Sequence, residues 1–189
     1  KGCFVLFEGS KPSGIATCIS FGKVGWFGNL TVNENCRRQG AGSLLVKHAV
    51  NYLKSKGVKT IGLYAYQNLV SFYSKLGFER EEDFSVLYAE ALDSVPPAEA
   101  LPKVGKQQLL AIEEFDCRYF GGDRKRLLES IILEKGNLSY YVSVHDEVVG
   151  YVAATVYEKM AWVGPLICKA GHVDAAVSLV KAVLAKLTG

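Results

Sequence analysis

The chain has 189 residues, 49% of them hydrophobic and 22% charged, and a formal net charge of +3. This is a globular composition with ample core, and the charge is too small to argue for nucleic acid or an anionic membrane as a partner. No apolar run reaches the roughly 18 residues of a membrane span, and five scattered cysteines with no CxxC pair argue against a disulfide framework or a zinc site and favour a reducing, cytoplasmic setting.

Cys3 to Phe7 and Ile15 to Phe21 read as strands joined by the turn-rich Gly9-Ser10-Lys11-Pro12-Ser13-Gly14, and Trp26 to Val32 as a third strand. From Gly42 the periodicity becomes helical, with Ala41, Leu45, Ala49 and Leu53 on one stripe, until Gly57. Between strand and helix stands Leu30-Thr31-Val32, a polar turn, Arg37-Arg38 and Gly40-Ala41-Gly42. The first N–H groups of a helix lack intrahelical partners and carry the positive end of its dipole. Glycines at Gly40 and Gly42 let a bulky anion approach, and the arginines add charge and donor forks. The segment therefore predicts an anion cradle at one sheet edge. Cys36 lies beside this positive helix start, which lowers a thiol pKa, but with no histidine near it in sequence it reads as a bystander. His48 reads as a surface or half-buried helix residue.

Thr60 to Tyr66 reads as the next strand, apolar almost throughout as if buried on both faces. Asn68 caps a short helix ending at Leu76-Gly77, and Phe78 onward returns to strand as far as about Leu92. Ser94-Val95-Pro96-Pro97 reads as a linker. After it, Lys106 to Glu134 reads as helical with a break near Gly121-Gly122. Strands follow at Tyr140 to Val144, Val149 to Tyr157 and Ala161 to Cys168, with a closing helix from Asp174 to Leu187.

An internal repeat runs through this layout. Gly14, Trp26, Gly28 and Leu30 each have an identical residue 136 positions on, at Gly150, Trp162, Gly164 and Leu166. The pattern predicts two copies of one strand-strand-strand-helix unit, with Trp26 and Trp162 as paired core residues. The copies differ in chemistry. Where the first has Arg37 to Gly42, the second has Val173-Asp174-Ala175-Ala176-Val177, with neither glycine nor arginine. Asp174 is expected to cap that helix, satisfying its donors and repelling a phosphate. The second copy is a poor pyrophosphate site.

Two motifs of the first copy resemble those of the GCN5-related N-acetyltransferase (GNAT) family. Arg37-Arg38-Gln39-Gly40-Ala41-Gly42 is similar to the family's Arg/Gln-x-x-Gly-x-Gly/Ala turn, and Phe72-Tyr73-Ser74-Lys75-Leu76-Gly77-Phe78 to its second mark. Phe120-Gly121-Gly122-Asp123-Arg124 and Val163-Gly164-Pro165-Leu166 resemble, more softly, the degenerate second domain of tandem members. The resemblance implies an α+β (mixed α/β) fold, a GNAT-like twisted, mostly antiparallel sheet flanked by helices, in two related copies. It implies a GNAT domain over residues 1–93 that lacks its N-terminal helices, a linker over 94–105, and a degenerate, C-terminally truncated domain over 106–189.

It further implies acetyl-CoA as cosubstrate and a primary amine as acceptor. The backbone of Leu30, Thr31 and Val32 would pair with the pantetheine arm as an added strand. Arg37, Arg38, Gln39, Gly40, Ala41, Gly42 and Ser43 would hold the pyrophosphate. Tyr73 takes the position of the family's frequent general acid, against the plainer reading of a core tyrosine. No general base is identified: some members place a glutamate on the strand before the cradle, but Trp26 to Val32 has none, and Glu34 reads as a solvated turn residue. Many members carry an asparagine where this chain has Tyr66. Asn68 is the nearby alternative, either touching the cofactor or only capping its helix. Tyr64, Tyr66 and Tyr73 read as an aromatic cluster, shaping an acceptor pocket or simply packing the core. The rival to an N-acetyltransferase is a non-enzymatic acyl-CoA-binding regulator or scaffold. No metal is expected, and the oligomeric state is not legible.

Overall fold

The computed structural model describes residues 1–89 and 99–187. They fall into two compact units, Lys1–Ser85 and Val86–Gly189. The linker expected at Ser94 to Pro97 lies outside the described residues. Among these residues, no helix is long and apolar enough to cross a membrane.

The first unit opens with β1 (Gly2–Glu8), β2 (Lys11–Phe21) and β3 (Val24–Val32), an antiparallel meander in which left-handed Gly9 and Gly22 make the turns. Helix α1 (Ala41–Ser55) follows, and then β4 (Thr60–Gly62), which adds in parallel beside β3 to give the order β1-β2-β3-β4. The return from β3 to a parallel neighbour requires a crossover, which α1 supplies. Its Leu45, Val46, Ala49 and Leu53 sink into a core with Ala16, Cys18 and Phe27 of the sheet. The helical stripe is thus the core face, and His48 is exposed against Phe4. A short helix α2 (Val70–Ser74) closes the regular part of this unit.

Three expectations change here. The strand begun at Thr60 ends at Gly62, and Tyr64 and Tyr66 are exposed. Asn68 does not cap α2: it lies inside a 3-10 turn, Gln67–Leu69, and the α2 N-cap is Leu69 with no side-chain bond. Residues 79–89 form no regular element. An extended segment becomes a strand only where a neighbour accepts its backbone bonds. The charged run Glu79 to Asp83 offers no apolar face to bring one close.

The second unit carries α3 (Leu109–Phe120), α4 (Lys125–Ile132), β5 (Leu138–Val144), β6 (Glu147–Val156), β7 (Ala161–Cys168) and α5 (Val173–Leu187), with the antiparallel order β5-β6-β7. Its sheet is covered on both faces. Tyr151 and Ala153 pack with α3 and α4, while Tyr140, Val152 and Ala154 pack with α5. That accounts for the unbroken burial along β6 from Val149 to Ala154. Val104 joins this core and its N–H donates to Ser139 O at 3.1 Å, so the packing of the second unit begins ahead of α3.

Strand register makes the repeat physical. Gly2 faces Cys18 in the first sheet, and Leu138 faces Ala154 in the second, each 136 residues on. The one-residue shift after Leu6 recurs after Val142 at the same offset. Gly14 faces Val32 as Gly150 faces Cys168, and Ile19 faces Trp26 as Thr155 faces Trp162. Both second hairpins also contain a one-residue bulge in the same stretch. The tryptophans nevertheless differ: Trp26 packs beneath Tyr64, whereas Trp162 is 61% exposed and is not a core residue.

Candidate acyl-CoA site in the first unit

The site is built where β3 and β4 part. Their parallel ladder pairs Val24 with Thr60, Gly25 with Ile61 and Trp26 with Gly62, and there it stops. Beyond Trp26, β3 runs on to Val32 with no strand partner but β2 among the described residues, which leaves one backbone edge without a strand neighbour over Phe27–Val32, its Val32 carbonyl taken by the Arg37 side chain. The fork has an aromatic wall. Tyr64 stacks on Trp26 at 4.8 Å between ring centroids, and Phe84 meets Tyr64 edge-on at 5.1 Å.

At the far end of this edge the chain turns through Asn33, whose side chain accepts from Asn35 N, into a 3-10 turn at Glu34–Cys36. Arg38 takes a left-handed conformation (φ 62°), and so does Gly40 (φ 89°), the N-cap of α1. No side chain caps α1 and no acidic residue stands in its first turn. The opening amides are therefore unblocked, and the dipole end is positive. No atom lies within 4 Å of where a Gly40 Cβ would be, whereas a Gly42 Cβ would meet the Phe72 ring at 3.4 Å. Gly40 is required by its backbone and leaves open space. At Gly42 a Cβ would stand in ordinary contact with that ring.

The arginines divide their work. Arg37 Nε donates to Val32 O at 3.0 Å and its guanidinium pairs with exposed Glu34 at 3.3 Å. Arg38 has no hydrogen bond or ion pair among the described residues. Gln39 Nε2 donates to Asn35 O at 2.8 Å, which folds the loop on itself. Cys36 reverses the expectation for its thiol. Burial and the Glu8 carboxylate, to which Sγ donates at 3.4 Å, raise its pKa in spite of the nearby helix start.

Tyr73 is 8% exposed and packed edge-on against Phe27, Phe72 and Phe78. Its hydroxyl has no hydrogen-bond partner among the described residues, and burial raises its pKa, keeping the phenol protonated. Tyr64 and Tyr66 do not join it: one lies on Trp26, and the other is 81% exposed. Asn68 is exposed on its turn. Beside the fork is a depression of about 390 Å³ whose lining includes Thr17, Cys18, Trp26, Phe27 and Gly28 and contains no carboxylate side chain.

Sequence reasoning missed a polar pair here. Asn29 has φ 52° inside β3, and its Nδ2 donates to Thr17 Oγ1 at 3.1 Å. The one available signal was Gly28-Asn29 interrupting an apolar strand.

The start of α5 differs from that of α1. Asp174 stands in its first turn, one residue inside it and not as the expected cap, left-handed Gly171 lies two residues ahead of the helix rather than at its cap, and no arginine accompanies them. The Phe120 to Arg124 motif serves packing. Buried Asp116 accepts two prongs from Arg124, at 2.7 and 2.8 Å, and a third bond from Tyr151 Oη, while Arg124 lies over the Phe120 ring.

Comparison with known proteins agrees with these halves. A model of the acetyltransferase (GNAT) family matches residues 1–78, and one of an acetyltransferase (GNAT) domain matches residues 112–189. No match was found among curated proteins. A solved structure of a candidate acetyltransferase from Pyrococcus horikoshii is 23% identical with a TM-score of 0.76, covering 100% of this chain and 62% of its own. The chain thus spans less than two thirds of that relative's length. An acetyltransferase of Trypanosoma brucei is 25% identical over 43% of this chain and 62% of its own, with a TM-score of 0.40. Glucosamine-6-phosphate N-acetyltransferase of Arabidopsis thaliana is 20% identical over 41% and 58%, with a TM-score of 0.38.

Proposed function

Because this chain belongs to the GNAT acetyltransferase family, we propose that its first unit binds acetyl-CoA along the free β3 edge and transfers the acetyl group to a primary amine. The observation that carries this reading is a single continuity: an unpaired strand edge running into an uncapped helix start. Pantetheine has peptide-like amides that suit a strand edge, and a diphosphate suits the helix start. Leu30, Thr31 and Val32 would hold the arm. Gly40, Ala41, Gly42 and Ser43 would offer amides to the pyrophosphate, with Arg38 as the free cation beside them. Arg37 and Gln39 would serve by holding the loop. Exposed Asn68 is a further candidate contact.

Side-by-side binding supplies much of the rate, because the thioester is already reactive. The neutral amine attacks the thioester carbonyl, a C–N bond forms, and the C–S bond breaks. The ammonium proton leaves to solvent, and the departing thiolate takes a proton from the Tyr73 phenol, which burial keeps protonated until then. The phenol recovers its proton from water. No carboxylate side chain is among the residues lining the depression beside the fork, and no side chain is assigned as the base.

The same absence favours one rival, an acyl-CoA-binding regulator that does not turn over. Acetyl-CoA calorimetry followed by thioester consumption with a panel of amines separates the two. Binding with turnover supports the transferase, and binding without turnover supports the regulator.

A further inference from the structure

We propose that Thr17 and Asn29 form a latch that fixes where the acetyl carbonyl lies on the β3 edge; the inference rests on the acetyl-CoA reading above. The two are linked in series. Asn29 Nδ2 donates to Thr17 Oγ1 at 3.1 Å, and that hydroxyl donates to Gly28 O at 3.1 Å. The bonds straddle a bulge: Thr17 faces Gly28 and Ile15 faces Thr31, so Ala16 stands opposite both Asn29 and Leu30. A bulge leaves a residue out of the ladder and re-aims its peptide groups. This one falls between Trp26, where β4 departs, and Leu30, where the proposed pantetheine edge begins. Any acyl group threaded along that edge passes it.

Asn29 is suited to the place. Its backbone is left-handed, a conformation asparagine tolerates better than most residues. Its side chain then turns back across the pleat to hold the neighbouring strand.

The second unit shows that the latch is not needed to make a bulge. β6 and β7 also carry a one-residue shift, one position further along, with Ala153 opposite both Gly164 and Pro165; the positions 136 residues on from the pair are Ala153, without a hydroxyl, and Pro165, without a side-chain donor. A bulge therefore forms in this framework with no polar pair. In the first unit the pair adds definition to one peptide conformation beside the depression that Thr17 and Gly28 line. Thr17 and Asn29 are positioning residues: they act on the acyl group through the β3 backbone.

The test uses the whole chain with CoA and with acetyl-CoA carrying carbon-13 at the carbonyl. Calorimetry measures affinity, and the carbonyl resonance of the bound thioester reports its polarisation. Asn29→Gly keeps the left-handed backbone without strain and deletes only the amide. Thr17→Val removes the hydroxyl at constant volume, and Thr17→Ser restores it. The latch predicts that wild type shifts the carbonyl from its free position, and that N29G and T17V move it at least halfway back. T17S stays with wild type, and CoA affinity stays within about twofold throughout. A carbonyl unchanged in N29G and T17V, or unshifted in wild type, overturns the latch and leaves the acetyl-CoA reading standing. Equal weakening of CoA and acetyl-CoA in both variants overturns it too, in favour of a structural role. Failure of wild type to bind either ligand removes the reading and the latch together.

Discussion

Arg37 Nε reaches back five residues to donate to the Val32 carbonyl at 3.0 Å, tying the loop to the strand that feeds it. The first arginine of the Arg-Arg pair is thereby engaged in shaping the turn. Arg38, at left-handed φ, has no hydrogen bond or ion pair among the described residues, which is why we propose it as the cation beside the pyrophosphate.

Arg38→Ala should lower acetyl-CoA affinity by roughly ten- to a hundredfold, in line with the loss of a charge-assisted bond worth about 1.5–3 kcal/mol. Its loss should also flatten the salt dependence measured by titration at several ionic strengths. Arg37→Lys should weaken binding as well, because a lysine cannot serve Val32 and Glu34 with one planar fork. Its affinity loss should come with faster amide exchange over residues 33–40.

Gly40 should tolerate asparagine better than alanine. At φ 89° a Cβ meets no atom, so the penalty is one of backbone conformation, about 1 kcal/mol for Ala and less for Asn. Thermal melting of the two variants beside wild type gives the order directly.

Tyr73→Phe should leave acetyl-CoA affinity unchanged and lower kcat by about a hundredfold, the lower range for a lost general acid. Burial raises the phenol pKa. The wild-type rate should therefore hold through the ordinary tyrosine range and decline only above it, as the acid loses its proton. The variant should lack that decline. A pH profile of kcat for both proteins checks the sign.

Asp116→Asn should destabilise the second unit by about 3–5 kcal/mol, since it leaves the Arg124 guanidinium short of its partner in a nearly closed site. Asp116 is 1% exposed. Burial and then Asp116 also raise the Tyr151 pKa. The stability Tyr151 contributes is intact below the ordinary tyrosine pKa and is lost as pH rises toward the higher folded value. Denaturant melts at neutral and alkaline pH measure both effects.

Much of this was legible because it is local. The α1 stripe, the meander and the Arg-Gly loop follow from periodicity and turn chemistry within a few residues. Four matching landmarks were enough to expose the repeat, although β1 and β5 share its register with no such landmark between them. What escaped depends on neighbours distant in sequence. β4 pairs with β3 only as far as Gly62, and Tyr64 and Tyr66 lie beyond it, one stacked on Trp26 and the other exposed, instead of gathering around Tyr73. Trp162 has the sequence position of Trp26 but no Tyr64 above it. Cys36 sits at a positive helix start, yet burial first and then Glu8, from β1, raise its thiol pKa. The Thr17–Asn29 bond joins two strands, and no spacing rule within either strand announces it.

Calorimetric titration of the whole chain with acetyl-CoA tests most directly that one cradle works and the other is blank. One acetyl-CoA should bind per chain, Gly40→Glu should abolish that binding, and Asp174→Ala should leave it intact. Two sites per chain, or binding that survives Gly40→Glu and is lost in Asp174→Ala, would contradict it.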